Sequence, residues 1–225
     1  MTDQSSPIEP SDVATMIDHT LLAPGATADQ IDRLCDDADR FGVATVCVDG
    51  RWVARAAERL ASSSVGVCTV GDFPHGADAT AAVVAATRAA VDSGAVEVDT
   101  VMPLGLLIGG DQSAVVEHLA AIKAATGDRV LKVILESGMH DEDRLRVACR
   151  LSERAGADFV KTSTGFHPTG GATVDAVATM RSEVGDRLGV KASGGVRTLD
   201  TAREMIEAGA NRLGTSSTAA ILGLD

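Results

Sequence analysis

Along most of the chain, short runs of consecutive apolar residues alternate with longer stretches whose apolar positions recur every three or four residues. The runs 43-VATVCV-48, 65-VGVCTV-70, 95-AVEVDTVM-102 and 130-VLKVILE-136 have strand length, as do 158-DFVKTS-163 and 189-GVKASG-194. With 16-MIDHTLL-22 and 212-RLGTSS-217 they make eight predicted strands. Helical periodicity predicts helices over 28–41, 51–60, 78–94, 111–126, 141–156, 173–185 and 198–210, with a short helical tail over 216–223. Ser11 and Thr27 stand where they would cap a short helix ending near Met16 and the helix from residue 28.

Strands so evenly apolar belong to a parallel sheet covered by helices. Eight strand–helix units predict an α/β fold of the (β/α)8 TIM-barrel type, with a short N-terminal helix, rather than a doubly wound sheet. Residues 1–10 read as a flexible lead and residues 11–225 as a single domain, long enough to bury a substantial core. Gly94, Gly156 and Gly209 follow Ala-rich helical stretches and mark repeated helix-to-strand turns. No two-residue hairpin signals and no residue-level repeat compete with this reading.

The barrel reading gives meaning to polar residues embedded in the strands, because catalytic groups of such barrels gather at the carboxyl ends of the strands. The candidates are Asp18, His19 and Thr20; Cys47; Asp72; Glu97 and Asp99; Lys132 and Glu136; Lys161 with Thr162, Ser163 and Thr164; Lys191 with Ser193; and Ser216 with Ser217. Of only four lysines in the chain, three (Lys132, Lys161 and Lys191) sit in strand-like apolar sequence where a solvated ammonium is not expected. Lys123 reads as an ordinary surface lysine. Side-chain alternation puts Lys161 and Ser163 on one face of a strand and Thr162 on the other, unless the strand has already ended.

A lysine among apolar groups and other cations gives up its proton more readily, and its neutral amine can add to an aldehyde or ketone as a Schiff base. Two lysines at one barrel mouth can thus divide the work between nucleophile and electrostatic partner, with a carboxylate such as Asp99 balancing charge and moving protons. A buried structural Lys–Asp network, or non-covalent binding of a phosphate or carboxylate, would use the same residues. The glycine-bearing ends 191-KASGGV-196 and 214-GTSST-218 fall after the seventh and eighth strands, the usual place of a phosphate cradle in this fold. Gly194 and Gly195 allow close approach of an anion, and Ser216 and Ser217 begin the last helical stretch.

Composition narrows the partners. The formal charge of −12, from 32 acidic and 20 basic residues, argues against a broad nucleic-acid or anionic-membrane surface but not against a small cationic pocket. Cys35, Cys47, Cys68 and Cys149 show no CxxC spacing and read as free thiols of a reducing compartment. The five histidines form no HExxH, so no metal site is predicted; His118 reads as a helix-surface residue. There is no GxxxxGK[ST] loop, and 71-GDFPHG-76 lacks the glycine spacing of a dinucleotide site. The polar, acidic start does not resemble a signal peptide and no apolar run has membrane-spanning length, which leaves the cytoplasm as the expected location.

Taken together, 17-IDHTLL-22, 46-VCV-48, 97-EVDTV-101, 131-LKVILE-136, 160-VKTSTGF-166, 190-VKASGGV-196 and 212-RLGTSS-217 resemble the deoxyribose-phosphate aldolases, class I Schiff-base enzymes. The resemblance runs from Ile17 to Gly223, and VKTSTGF followed by VKASGG is its most specific part. It implies reversible cleavage of 2-deoxy-D-ribose 5-phosphate to acetaldehyde and D-glyceraldehyde 3-phosphate, usually by a homodimer, with no metal or organic cofactor. It further implies Lys161 as the Schiff-base nucleophile, Lys191 as the neighbouring ammonium, Asp99 as the relay carboxylate with an ordered water, and Lys132 as a supporting lysine. Asp18, Thr20 and Thr164 would bind substrate hydroxyls or fix Asp99 and Lys161; Gly165, Gly194, Gly195, Ser216 and Ser217 would hold the phosphate. Cys47 is similar to a cysteine near the family's pocket that the chemistry does not use as nucleophile. Two departures stand out: 101-VMP-103 replaces a segment that often carries asparagine, and the chain has no tyrosine to match the C-terminal tyrosine of some members. A Schiff-base aldolase for another phosphorylated sugar, or a sugar-phosphate-binding barrel without catalysis, are the rival readings.

Overall fold

A computed structural model describes residues 8–224. Most of the expected lead, residues 1–7, and the final Asp225 lie outside the described residues, and Pro10 already opens the first helix.

The elements follow in the order α1 (Pro10–Ala14), β1 (Ile17–Leu21), α2 (Ala28–Phe41), β2 (Thr45–Val48), α3 (Val53–Arg59), β3 (Gly66–Gly71), α4 (Thr80–Asp92), β4 (Glu97–Val101) and α5 (Leu104–Gly109). Then come α6 (Gln112–Thr126), β5 (Val130–Ile134), α7 (Glu142–Arg154), β6 (Phe159–Lys161), α8 (Val174–Val184), β7 (Gly189–Ser193), α9 (Leu199–Glu207), β8 (Arg212–Thr215) and α10 (Thr218–Leu222). The eight strands pair in parallel in chain order, and β8 returns to pair with β1, so the sheet closes into the predicted barrel ringed by helices.

The apolar period explains how the layers meet. Val46, Val67, Val98, Leu131, Val133, Val160, Val190 and Leu213 are all buried, one or two from each of seven strands. They meet helix stripes such as Ile31, Leu34, Cys35 and Ala38 of α2 and Leu145, Ala148, Cys149 and Leu151 of α7, spaced three or four residues apart. Each such large side chain withdrawn from water contributes roughly 1.5–3 kcal/mol, and together they form the continuous layer between sheet and helices.

Differences from the sequence expectation have local causes. The six-residue α5 falls in a stretch with Pro103, Gly105, Gly109 and Gly110 that reads as loop. The Pro103 carbonyl starts it by accepting the Leu106 and Leu107 N–H groups at 3.0 and 3.1 Å, and Gly110, at φ 82°, ends it. The helix expected over 51–60 begins as a 3-10 turn at Gly50–Trp52, where the Asp49 carboxylate accepts the Arg51 N–H. Strand β6 stops at Lys161, so Thr162, Ser163 and Thr164 are freed from strict alternation. His118 is a correction: it is not on the helix surface but buried, its Nδ1 2.9 Å from Thr80 Oγ1. All four cysteines are buried and none forms a disulfide.

Candidate active site

Parallel register decides which inward side chains become neighbours. Asp99 on β4 pairs with Lys132 on β5, Lys161 on β6 pairs with Lys191 on β7, and Lys191 pairs in turn with Arg212 on β8. The period of two then turns Asp18, Glu97, Asp99, Lys132, Lys161, Lys191 and Arg212 into the barrel. Gly214 on β8 leaves the space that the Lys191 stem occupies; a Cβ there would lie 3.0 Å from Lys191 Cε and 2.9 Å from Ser193 Cβ.

Asp99 is the hub. Its Oδ2 accepts from Lys161 Nζ at 2.8 Å and from Lys191 Nζ at 2.7 Å, and its Oδ1 accepts from Lys132 Nζ at 2.8 Å. Lys132 also lies 2.5 Å from Glu97 and 3.4 Å from Asp18, and Lys191 donates to Asp18 as well. Arg212 closes the base of the network on Asp18 at 2.6 Å and on Glu97 at 3.0 Å. Asp18, Asp99, Lys132 and Lys191 are fully buried, and Lys161 nearly so.

Three carboxylates therefore face four cations, one positive charge in excess. The lysines differ in how firmly they are held: Lys132 has three carboxylate contacts, Lys191 two and Lys161 one. Burial alone would raise the carboxyl pKa of Asp99, but Lys132, Lys161 and Lys191 hold it well below the usual carboxylate range. Asp18 behaves alike, with burial outweighed by Lys132, Lys191 and Arg212. Burial would likewise lower Lys132 and Lys191, but Asp18 and Asp99 raise both, keeping them as ammonium ions. A hydrogen bond with Cys68 lowers the Cys47 thiol, whereas burial raises Cys68. The Cys47, Cys68 and Asp99 donor atoms lie within 4.8 Å of one another, but Lys132 already binds both Cys68 and Asp99.

Above this network opens a cavity of about 480 Å³. Lys161 is the one lysine in its wall, with Thr20, Thr164, Gly165, Gly194, Gly195, Ser216 and Ser217 around it. The residues expected to handle hydroxyls and phosphate thus share one space with Lys161, except Asp18, which lies beneath the floor with Asp99, Lys132 and Lys191. Asp18 contacts Lys191, Lys132 and Arg212, which matches the second of the two roles expected for it, fixing the network. The rim is shaped by glycine backbone. Gly165 and Gly194 hold φ near 80°, and a Cβ on Gly194 would sit 2.9 Å from Gly171 Cα and 3.3 Å from Gly165 Cα. The Ser217 N–H donates to Thr215 Oγ1 at 2.9 Å.

The other candidates scatter. His19 points outward to Thr218 Oγ1 at 2.7 Å, and Asp72 faces His118 rather than the cavity. Glu136, in a left-handed conformation at φ 52°, is buried and accepts the Thr164 hydroxyl at 2.6 Å, so it braces the wall from behind. Sequence reasoning missed Arg212 and Arg197. Arg212 opens a strand, where an arginine ordinarily looks like a solvated edge. Arg197, which lines the cavity two residues after Gly195, carried a usable signal in its closeness to the glycine pair.

A parallel eight-stranded barrel with one under-neutralised lysine facing a polar cavity at the carboxyl strand ends is the architecture of a lysine-dependent aldolase. The sequence profile of the DeoC/LacD family aldolases matches residues 12–223, and the chain belongs to that family. It is 54% identical over 206 residues to the deoxyribose-phosphate aldolase of Brevibacillus brevis, covering 92% of this chain and 93% of the relative. It is 48% identical over 206 residues to that of Streptococcus suis, with the same coverage. Among solved structures, the tetrameric deoxyribose phosphate aldolase of Aeropyrum pernix superposes with a TM-score of 0.88 at 32% identity, over 96% of this chain and 91% of that one. The aldolase QR15 gives 0.90 at 39% identity, over 94% and 95%.

Proposed function

We propose that this protein is a deoxyribose-phosphate aldolase that cleaves 2-deoxy-D-ribose 5-phosphate to acetaldehyde and D-glyceraldehyde 3-phosphate through a Schiff base on Lys161. The observation that carries the reading is the unequal holding of the three lysines. Lys132 and Lys191 are each pinned by two or more carboxylates, whereas Lys161 has Asp99 alone and borders the cavity. Lys161 is therefore the lysine of the network least enclosed by carboxylates and the one a substrate can reach.

The amine of Lys161 adds to the C1 aldehyde of the open-chain sugar, and loss of water gives the protonated imine. The C3 hydroxyl then loses its proton, the C2–C3 bond breaks, and its electron pair moves into the imine to leave an enamine on Lys161 while glyceraldehyde 3-phosphate departs. Proton uptake at C2 and hydrolysis release acetaldehyde and the amine. Asp99 lies behind Lys161 rather than in the cavity wall, so a water carries the C3 hydroxyl proton between substrate and the Asp99–lysine network. Lys191 stays an ammonium beside Lys161, sharing Asp99 with it; Lys132 keeps Asp99 and Glu97 in place. Thr20 and Thr164 face the sugar hydroxyls, and Gly165, Gly194, Gly195, Ser216 and Ser217 surround the phosphate, with Arg197 supplying a cation. Proton delivery to C2 falls to water together with the Asp99–lysine network, or to another residue of the wall.

Borohydride added with deoxyribose 5-phosphate tests reaction, substrate and nucleophile together. The expected product is a reduced adduct on the peptide that contains Lys161; an adduct confined to Lys132 or Lys191, or none from a preparation that turns over, would overturn the assignment. A homodimer and a cytoplasmic location belong to the same proposal. The described residues contain no helix long and apolar enough to cross a membrane, and light scattering of the purified protein tests the dimer.

A further inference from the structure

A second cavity of about 300 Å³ adjoins the first. The two share Leu22, Ala23, Pro24 and Phe166, but their chemistry differs. The second is lined by Trp52, Phe73, Pro74 and Phe166, with Asp49 and Arg51 as its only charged groups. The chain has one tryptophan, four phenylalanines and no tyrosine, so three of its five aromatic side chains of these types meet at this one place. Phe73 and Phe166 stand edge to face, centroids 5.3 Å apart at 84°. Phe166 is nonetheless 50% exposed, a large apolar surface that no part of the described chain covers.

The polar side of this annex is formed by two exposed residues, Asp49 and Arg51. The Arg51 guanidinium makes no ion pair or side-chain hydrogen bond among the described residues, and the Asp49 carboxylate meets no cation; its recorded contact is the Arg51 N–H at 3.1 Å. An alkyl or phenyl group bound here would use the aromatic walls but neither polar side chain. A phosphate would meet a single arginine amid apolar walls. A flat ring whose edge both accepts and donates hydrogen bonds suits all three features: aromatic faces for stacking, Arg51 as donor and Asp49 as acceptor.

We propose that this annex is a binding site for a planar heteroaromatic ring of the purine or pyrimidine class, separate from the phosphate cradle and opening onto the same mouth. The site goes beyond the aldolase reading, and its occupancy is read without turnover. Trp52 is the sole tryptophan and no tyrosine obscures it, so emission excited at the tryptophan edge reports the annex directly.

The experiment is a titration of the full-length protein with adenine, followed by Trp52 emission. A saturable change is expected, with a dissociation constant on the order of 1 mM or tighter, as befits a small ring held on an open shelf. Phe166→Ala, at an exposed position, should weaken it about tenfold by removing a stacking face, and a circular dichroism melt checks that the variant folds. Arg51→Ala should weaken binding as well while leaving turnover of deoxyribose 5-phosphate unchanged, because Arg51 does not line the main cavity. Absence of a saturable change would overturn the proposal, as would equal binding of toluene, which would show a merely greasy surface. A response insensitive to Arg51→Ala and abolished by saturating inorganic phosphate would place the ring in the main cavity, and would overturn it too.

Discussion

On the outside of the barrel, Arg55 and Arg59 of α3 reach Asp32 and Asp36 of α2, each through two hydrogen bonds of 2.7–2.8 Å. Inside it, Lys132, Lys161 and Lys191 reach Asp99 at 2.7–2.8 Å. The distances match, but the surroundings do not. Water solvates the surface pairs whether they are made or broken, so making them changes little. In the interior every charge has given up its hydration, and the carboxylates must replace it; removing one partner strands the rest. The inner network also fails to close, four cations against three carboxylates, and the surplus stands at the wall of a cavity. A surface can carry an unmatched charge at almost no cost, whereas a buried centre that carries one has a reactive group.

The sharpest way to break this comparison is Lys161→Ala. Turnover should fall by about 10⁴ or more, as expected for a lost nucleophile, while the denaturation midpoint holds or rises, because the change leaves three cations facing three carboxylates. Turnover within tenfold of the parent, or a collapse of the fold, would contradict the surplus-charge account.

Asp99→Asn should show the opposite balance. It removes the carboxylate shared by all three lysines, and urea unfolding should register a loss of about 3–5 kcal/mol, the range found for one partner taken from a buried pair. Its effect also has a pH signature. Asp99 and Asp18 titrate below their unfolded value of 3.8, so their stabilisation is present above that pH and is lost as pH falls through the folded values. Lys132 and Lys191 titrate above 10.5, so theirs is complete below that pH and is lost only as pH rises through their raised folded values. Stability of the parent against pH should therefore drop on the acid side, and Asp99→Asn should flatten that drop; an unchanged acid limb would mean that the cluster does not govern it.

A smaller effect is expected at the rim. Arg197→Ala should raise KM for the phosphorylated sugar about tenfold, one charge-assisted contact, and leave kcat and the reaction of unphosphorylated deoxyribose nearly untouched. Equal losses for both sugars would remove Arg197 from the phosphate cradle. Smallest of all, Arg55→Ala should change neither turnover nor the melting midpoint resolvably, and added salt should erase any difference; a clear destabilisation would show that the outer and inner pairs are less different than their exposure suggests.

Much of the centre was legible because its residues violate the local pattern. Lys132, Lys161 and Lys191 interrupt runs such as VLKVIL and DFVK where apolar side chains are the rule, and Asp99 does so in AVEVDTVM. Period two relates side chains only within one strand, so their common facing came with the register. Arg212 and Arg197 escaped because neither interrupts an apolar run. Asp18 was legible as a strand-end polar residue, but its depth was not: two positions along β1 separate it from Thr20 in the cavity wall. His118 looked like one more polar residue on a helix, and only the packing of α4 against α6 shows it buried.

By itself the sequence determined the alternation of strand and helix, hence the barrel, and which side chains would violate its interior. These follow from periodicity and burial, which are properties of neighbouring residues. Family resemblance then distinguished Lys161 from the other two lysines. The physical ground for that distinction came only with the tertiary structure, because it depends on how many carboxylates each ammonium meets. Barrel closure and register bring together β1, β4, β5, β6, β7 and β8, separated by up to 194 residues between Asp18 and Arg212. Contact number across a closed sheet is not a local property, and neither is the annex, whose aromatic walls arrive from three different loops.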